Sequence, residues 1–179
     1  MIVGWSLGGH IALEAALAMP TAAGHVIFGT PPVACAAQMA DAFLPNPAMN
    51  VGFTADVSPE LARVYAASFT TAGSVLRLDE FTADILRTDG AARAALFASV
   101  GEGRFTDELA IVAALGRPLA ILHGAGEQLV NLPYLHQQLS IPGLWRSRVQ
   151  LIAGAGHAAH QEAPEKFTEL LDQFLTDLG

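Results

Sequence analysis

The sequence predicts an α/β fold, in which a parallel sheet is flanked by helices and interrupted by a helical insertion. Three observations predict it. A Gly-x-Ser-x-Gly turn, Gly4-Trp5-Ser6-Leu7-Gly8, joins a β-branched stub to an Ala- and Leu-rich stretch. Later runs of strand character at Pro118–Leu122 and Arg148–Ile152 each end in a loop rich in Gly and His and lead on to a helical pattern. The strands are apolar rather than alternating, which indicates parallel strands covered on both faces.

Each element has its own signal. Met1-Ile2-Val3 reads as a strand stub. Gly8 to Met19 reads as a helix with one charge, Glu14, stopped by Pro20. His25–Phe28 is a short apolar run closed by Gly29-Thr30-Pro31-Pro32, a buried strand entering a loop. Residues 33–106 are Ala-rich with scattered Pro and Gly and short helical patterns such as Pro59–Ser68. They read as an inserted helical cap, leaving 1–32 and 107–179 as the core. Asp107–Leu115 and Leu132–Leu139 read as helices on either side of the Pro118–Leu122 strand. Ala163–Leu178 is an amphipathic helix with Phe167, Leu170, Leu171, Phe174 and Leu175 on one face.

Composition bounds the function. A chain of 179 residues with 52% hydrophobic and 15% charged residues is globular and fits one domain. A net charge of −8 gives no basic surface for nucleic acid, so no nucleic-acid partner is expected. No apolar run reaches the ~18 residues of a membrane span, and the first basic residue is Arg63, so neither a membrane nor a secretory signal is expected. Cys35 is the only cysteine, which allows no internal disulfide and no cysteine metal cluster. A cytoplasmic enzyme without metal or cofactor is the expectation.

The chemistry centres on Ser6. In a strand-turn-helix elbow the nucleophile is held in a strained backbone conformation, and Gly4 and Gly8 are expected to remove side chains that would collide. The turn lifts the hydroxyl to a helix N-terminus, and the Leu7 N–H is placed to bind an oxyanion. A serine needs a base. Of six histidines, His157 follows a strand in Ala155-Gly156-His157, at the sheet end where ligands bind; His160 is the competitor. His10 and His123 read as structural histidines satisfied by backbone carbonyls. His25 and His136 have no partner argument. The base needs an acid, and Glu127 is the one carboxylate in the loop after Pro118–Leu122. The chain order Ser, acid, His suits this type of site.

The elbow, the His123-Gly124-x-x-Glu127-x-x-Val130 segment and the Gly156-His157 before a final helix resemble the α/β-hydrolase superfamily. The look is closest to its serine carboxylesterase and pimeloyl-carrier-protein methyl-esterase-like branch. The resemblance implies a Ser6-His157-Glu127 triad acting through an acyl-enzyme on small to medium carboxylic esters. Its acid is most often Asp, so Glu127 is a departure. Trp5, Phe43, Phe53 and Phe69 are the candidate substrate-binding residues, with Phe81 and Phe97 as further cap aromatics. Two other outcomes fit: a truncated, inactive remnant needing its missing N-terminal half or a partner, or a cofactor-free perhydrolase or carbon–carbon bond hydrolase on the same fold.

The resemblance also implies strands and a second oxyanion donor before the elbow, where only three residues precede Gly4. An N-terminally truncated sequence is therefore expected. With it come partial cover of Val26, Phe28, Leu119 and Ile121 and self-association through an exposed sheet edge.

Overall fold

A computed structural model describes residues 1–104, 106–138 and 141–179. Four parallel strands, β1 (Ile2–Trp5), β2 (His25–Phe28), β3 (Leu119–Gly124) and β4 (Gln150–Ile152), form one sheet in the order β1-β2-β3-β4. After β1 comes α1 (Leu7–Ala15), which ends in a 3₁₀ turn over Ala16–Ala18 rather than continuing to Met19. β3 runs two residues past Leu122, carrying His123 and Gly124 into the sheet. β4 begins at Gln150 rather than Arg148.

Between β2 and the next core helix the described residues form helices and 3₁₀ turns but no strand. They are α2 (Met39–Ala42), a 3₁₀ segment Pro47–Phe53, α3 (Pro59–Ala67), α4 (Asp79–Arg87) and α5 (Gly90–Gly101). Side-chain caps explain several of the starts. Ser58 Oγ accepts from Leu61 N–H at 3.2 Å just ahead of Pro59, and Asp89 Oδ1 accepts from Ala91 N–H at 2.9 Å. The core resumes with α6 (Glu108–Ala114), capped by Asp107, and α7 (Leu132–Gln138). Leu139, expected to close α7, lies outside the described residues. A short α8 (Ala159–Glu162) precedes α9 (Pro164–Leu178).

The sheet is buried on both sides. Val26, Phe28, Ala120, Leu122 and Ile152 pack against Phe167, Leu170 and Phe174 of α9. Ile27, Leu119 and Ile121 point the other way, onto Leu13 of α1, Val112 of α6 and Leu135 of α7. The expected partial cover of Val26, Phe28, Leu119 and Ile121 is not found: they are 0, 5, 1 and 1% exposed. The four strands and these helices close that core between themselves. On α9, Leu175 leaves the predicted apolar face and is exposed, because Phe167, Leu170 and Phe174 already span the contact. The outer edge of β1 has no strand partner among the described residues, and Val3, Leu7 and Ile11 beside it are exposed.

Away from His157, three histidines have ring nitrogens without protein partners among the described residues: His25 at both nitrogens, and His123 and His160 at Nδ1. Burial pushes all three below the ordinary imidazole value of 6.5, with Glu127 pulling His123 partly back. The unfolded chain then takes up protons that the fold refuses, so stability is complete above about pH 6.5 and falls as the pH drops below it. Glu127 titrates further down and leaves this window untouched. We expect the melting temperature at pH 5.5 to lie several degrees below that at pH 7.5, since ~1 kcal/mol moves a domain of this size by about 2–4 °C. His25→Leu should narrow the gap. Equal gaps in the two proteins would show that His25 carries none of it.

Candidate active site

The elbow puts Ser6 between β1 and α1 with φ 52° and ψ −123°, a conformation that a non-glycine residue adopts only when its surroundings enforce it. Three contacts enforce it. Ser6 N–H donates to Phe28 O at 2.9 Å on β2, Gly9 N–H donates to Ser6 O at 2.9 Å, and the Thr30 hydroxyl donates to Ser6 O at 2.8 Å. The glycine requirement differs in part from the expected one. A Cβ at Gly4 would lie 2.5 Å from Gly8 O and 2.6 Å from Gly9 Cα, as a tight turn demands. At Gly8 a Cβ would meet nothing within 4 Å; the second close approach belongs to Gly9, where it would lie 2.0 Å from Thr30 Oγ1. Leu7 opens α1, so its N–H has no acceptor one turn back and remains available beside Ser6.

His157 and Glu127 come together at the ends of β4 and β3. Nδ1 of His157 bonds both carboxylate oxygens of Glu127, at 3.0 and 3.2 Å, with each side chain only 2% exposed. A carboxylate only accepts, so Nδ1 carries the proton and Nε2 is the nitrogen left for a substrate or serine. Burial alone would push the Glu127 carboxyl up; the His157 ring and the Leu129 N–H outweigh it and hold it below the ordinary carboxylate value. Nε2 of His157 is buried and has no partner among the described residues, so no hydrogen bond joins it to Ser6 Oγ here. The two residues line one cavity of about 500 Å³, which residues between β2 and α6 also line. Apo sites of this kind are often loose.

The surroundings fix His157. The Trp5 indole N–H donates to His157 O at 2.9 Å. Gly29, at φ 60°, lies flat against the ring: a Cβ there would sit 2.6 Å from His157 Cε1. Glu162 holds the loop from below, accepting from Gly156 N–H at 2.6 Å and from the N–H and hydroxyl of Thr71, both at 2.9 Å. Next to Glu127, the Gln128 side-chain amide donates to Ala67 O at 3.2 Å and to Thr70 O. Ala158 N–H donates to Phe69 O at 2.6 Å. The 67–71 strip, in the helical stretch between β2 and β3, is thus tied to both loops.

The other predicted residues divide. Phe43 and Phe53 line the cavity. Trp5 and Phe69 do not; they stack behind His157, with ring centroids 5.7 Å from it in each case, and Phe81 packs behind them. Their β1 and α3-end positions face the His157 loop rather than the opening. Phe97 is 62% exposed and touches Phe53. His160 is packed among Trp5, Phe28 and Phe167 rather than over Ser6. His123 has no carbonyl on Nδ1, and His136 is on the surface. His10 is held not by a carbonyl but by a carboxylate, Glu108. Sequence reasoning missed Glu108, Gln128, Gly9 and Glu162. Among the described residues no three His, Cys, Asp or Glu side chains come together to hold a metal ion, and no helix is long and apolar enough to cross a membrane.

Comparison with known proteins places this geometry. A search of curated proteins finds no match. Among solved structures, the chain is similar to N-acyl homoserine lactonase AidH complexed with N-hexanoyl homoserine lactone. The two are 33% identical with a TM-score of 0.90, over 98% of this chain and 63% of the lactonase. It shares its fold with an esterase from Rhodococcus sp. ECU1013 (22% identity, TM-score 0.79, covering 99% of this chain and 66% of that one). A thermophilic esterase from Thermogutta terrifontis has the same fold (20%, 0.75, 99% and 65%). The chain thus spans less than two thirds of the length of the lactonase. The sequence profile described as the alpha/beta hydrolase family matches residues 1–170, nearly the whole chain from the elbow into the last helix, and the chain belongs to that family.

Proposed function

We propose that this protein hydrolyses carboxylic esters, lactones included, with Ser6 as nucleophile, His157 as base and Glu127 as its orienting acid. The observation that carries the reading is the buried Glu127–His157 pair, whose free Nε2 borders the cavity that Ser6 also lines. In the reaction Ser6 Oγ attacks the carbonyl carbon while its proton passes to His157 Nε2. The oxyanion that forms meets the Leu7 N–H. His157 then gives the proton to the leaving alkoxide oxygen as the acyl–oxygen bond breaks. Water repeats the sequence on the acyl-enzyme, returning the Ser6 hydroxyl and releasing the acid. In a lactone the leaving oxygen stays tethered, so ring opening gives one hydroxy acid. The similarity to AidH, named for a lactonase, favours including lactones, and the apolar wall around Phe43 and Phe53 suits an alkyl chain.

The test is turnover of nitrophenyl esters of increasing chain length and of γ-lactones with and without acyl side chains. We expect hydrolysis of both classes and labelling of Ser6 by a fluorophosphonate. Turnover of neither class, with Ser6 unlabelled, would leave the inactive-remnant reading; acceptance of peroxide or cleavage of a carbon–carbon bond in preference to esters would favour the other reactions of the fold. Gel filtration of the same sample tests the accompanying proposal that the 179-residue chain self-associates through the outer edge of β1 and exposed Val3 and Ile11. A monomeric elution volume at all concentrations would reject it.

A further inference from the structure

The peptide unit between Ala155 and Gly156 is held on both edges, by different parts of the chain. Its carbonyl, Ala155 O, accepts from the N–H of Gly126, one residue before Glu127, at 2.8 Å. Its N–H, on Gly156 just before His157, donates to Glu162 Oε2 at 2.6 Å. A peptide unit is planar, so hydrogen bonds on opposite edges fix its tilt. That tilt sets how Nδ1 of His157 meets the Glu127 oxygens at 3.0 and 3.2 Å. Local structure brings Glu162 to this place. α8 is a single helical turn, closed by Gln161 and Glu162 N–H donating to Ala158 O at 2.9 and 3.1 Å, so the chain leaves His157 and returns beneath it. The other carboxylate oxygen, Oε1, accepts from the Thr71 N–H and hydroxyl, both at 2.9 Å. Gly156 lies flat against the same strip, where a Cβ would sit 2.8 Å from Thr70 C.

We propose that Glu162 is a positioning residue for the His157–Glu127 pair. By pinning the Ala155–Gly156 peptide against Gly126, it keeps Nδ1 of His157 aimed at the Glu127 carboxylate. The position demands an acceptor of this reach rather than a charge. A glutamine can set its oxygen against Gly156 N–H and donate its amide to the Thr71 hydroxyl oxygen. An aspartate keeps the charge but is one methylene shorter, and it cannot span Gly156 and Thr71 together. The effect on turnover rests on the reading of His157 as the base of Ser6.

The test compares Glu162→Ala, Glu162→Asp and Glu162→Gln. With the best ester of the panel, kcat should fall about tenfold or more in the Ala and Asp variants while KM stays within about twofold, the pattern of a displaced catalytic group. Glu162→Gln should stay within about threefold of the unmodified kcat, the low end of what one hydrogen bond is worth. Proton NMR reads the same geometry without turnover. A ring N–H bonded to a buried carboxylate resonates downfield of the amides, and the His157 signal is the one missing from His157→Ala. It should shift or vanish in the Ala and Asp variants and persist in Glu162→Gln. Should Glu162→Ala not fold, the Asp and Gln variants decide alone. An Asp variant with unmodified kcat and an unmoved signal overturns the proposal, whatever its melting temperature. So does a loss confined to KM, or a Gln variant as slow as the Asp one, which would make charge the cause. Failure of the hydrolase reading looks different: the unmodified protein turns over no ester and Ser6 stays unlabelled, while the ring-proton comparison still decides the role of Glu162.

Discussion

With Ser6 as the proposed nucleophile and His157 as its proposed base, we expect Ser6→Ala to abolish ester turnover and fluorophosphonate labelling, and His157→Ala to do nearly the same, each with a loss in kcat on the order of 10⁴-fold or more. The two losses do not add, because attack needs both the hydroxyl and the base that takes its proton. A double variant should be about as slow as either single one. Glu127→Gln costs less, by about ten- to a hundredfold relative to Ser6→Ala. Its amide oxygen can still accept from His157 Nδ1, now lying 3.0 Å from a carboxylate oxygen, but the charge that stabilises an imidazolium is gone. The check is kcat on the best ester of the panel, alongside intact-mass detection of the fluorophosphonate adduct. Strong turnover by Ser6→Ala would point to another nucleophile.

The second large effect is structural and separates three neighbouring glycines. Gly4→Ala puts a methyl group 2.5 Å from the backbone oxygen of Gly8, and backbone cannot move aside as a flexible side chain can. The elbow must open, with a loss of at least about 3 kcal/mol in unfolding free energy and of Ser6 labelling. Gly9→Ala meets the Thr30 side chain, which also holds Ser6 O, so it should damage both stability and reactivity. Gly8→Ala has open space and lies inside α1; removing a helical glycine should be neutral or stabilise by up to about 1 kcal/mol. Denaturant melts of the three variants check the order. A Gly8→Ala variant as damaged as Gly4→Ala would show that the elbow differs from the one described.

The elements that could be read from the sequence are those written in local pattern. The elbow has its glycines and a serine within five residues, and the strands His25–Phe28 and Pro118–Leu122 are short apolar runs with marked ends. His157 and Glu127 were findable because both follow strands, and parallel strands deliver their trailing loops to one end of the sheet. The residues that escaped depend on where the insertion lies. Glu108 looks like an ordinary acidic residue opening a helix; it becomes a buried carboxylate only because His10, 98 positions away, and Val33 converge on it. Glu162 sits in a polar stretch that reads as solvated, yet it binds Thr71, 91 positions earlier. Trp5 and Phe69 are aromatics near the motif, and no pattern tells a ring that walls a cavity from one that braces the residue behind it. Gly8 was credited over Gly9 because the motif is written with Gly8, whereas the steric demand comes from Thr30 on another loop.

The strip at residues 67–71 bears on how such proteins can be recombined. Insertions of this kind invite treatment as interchangeable parts, to be transplanted between scaffolds for a new substrate range. Here the strip supplies the Ala67 and Thr70 carbonyls that hold Gln128, next to Glu127, and the Thr71 groups that occupy Glu162, under the His157 loop. A chimera that replaces it removes the partners of Gln128 and leaves part of the Glu162 carboxylate unmatched. The loops carrying Glu127 and His157 would then loosen even though none of their own residues had changed. A workable seam leaves residues 67–71 with the scaffold and exchanges only chain on either side of them, so that the chain walling the cavity is separated from the chain bracing Glu127 and His157.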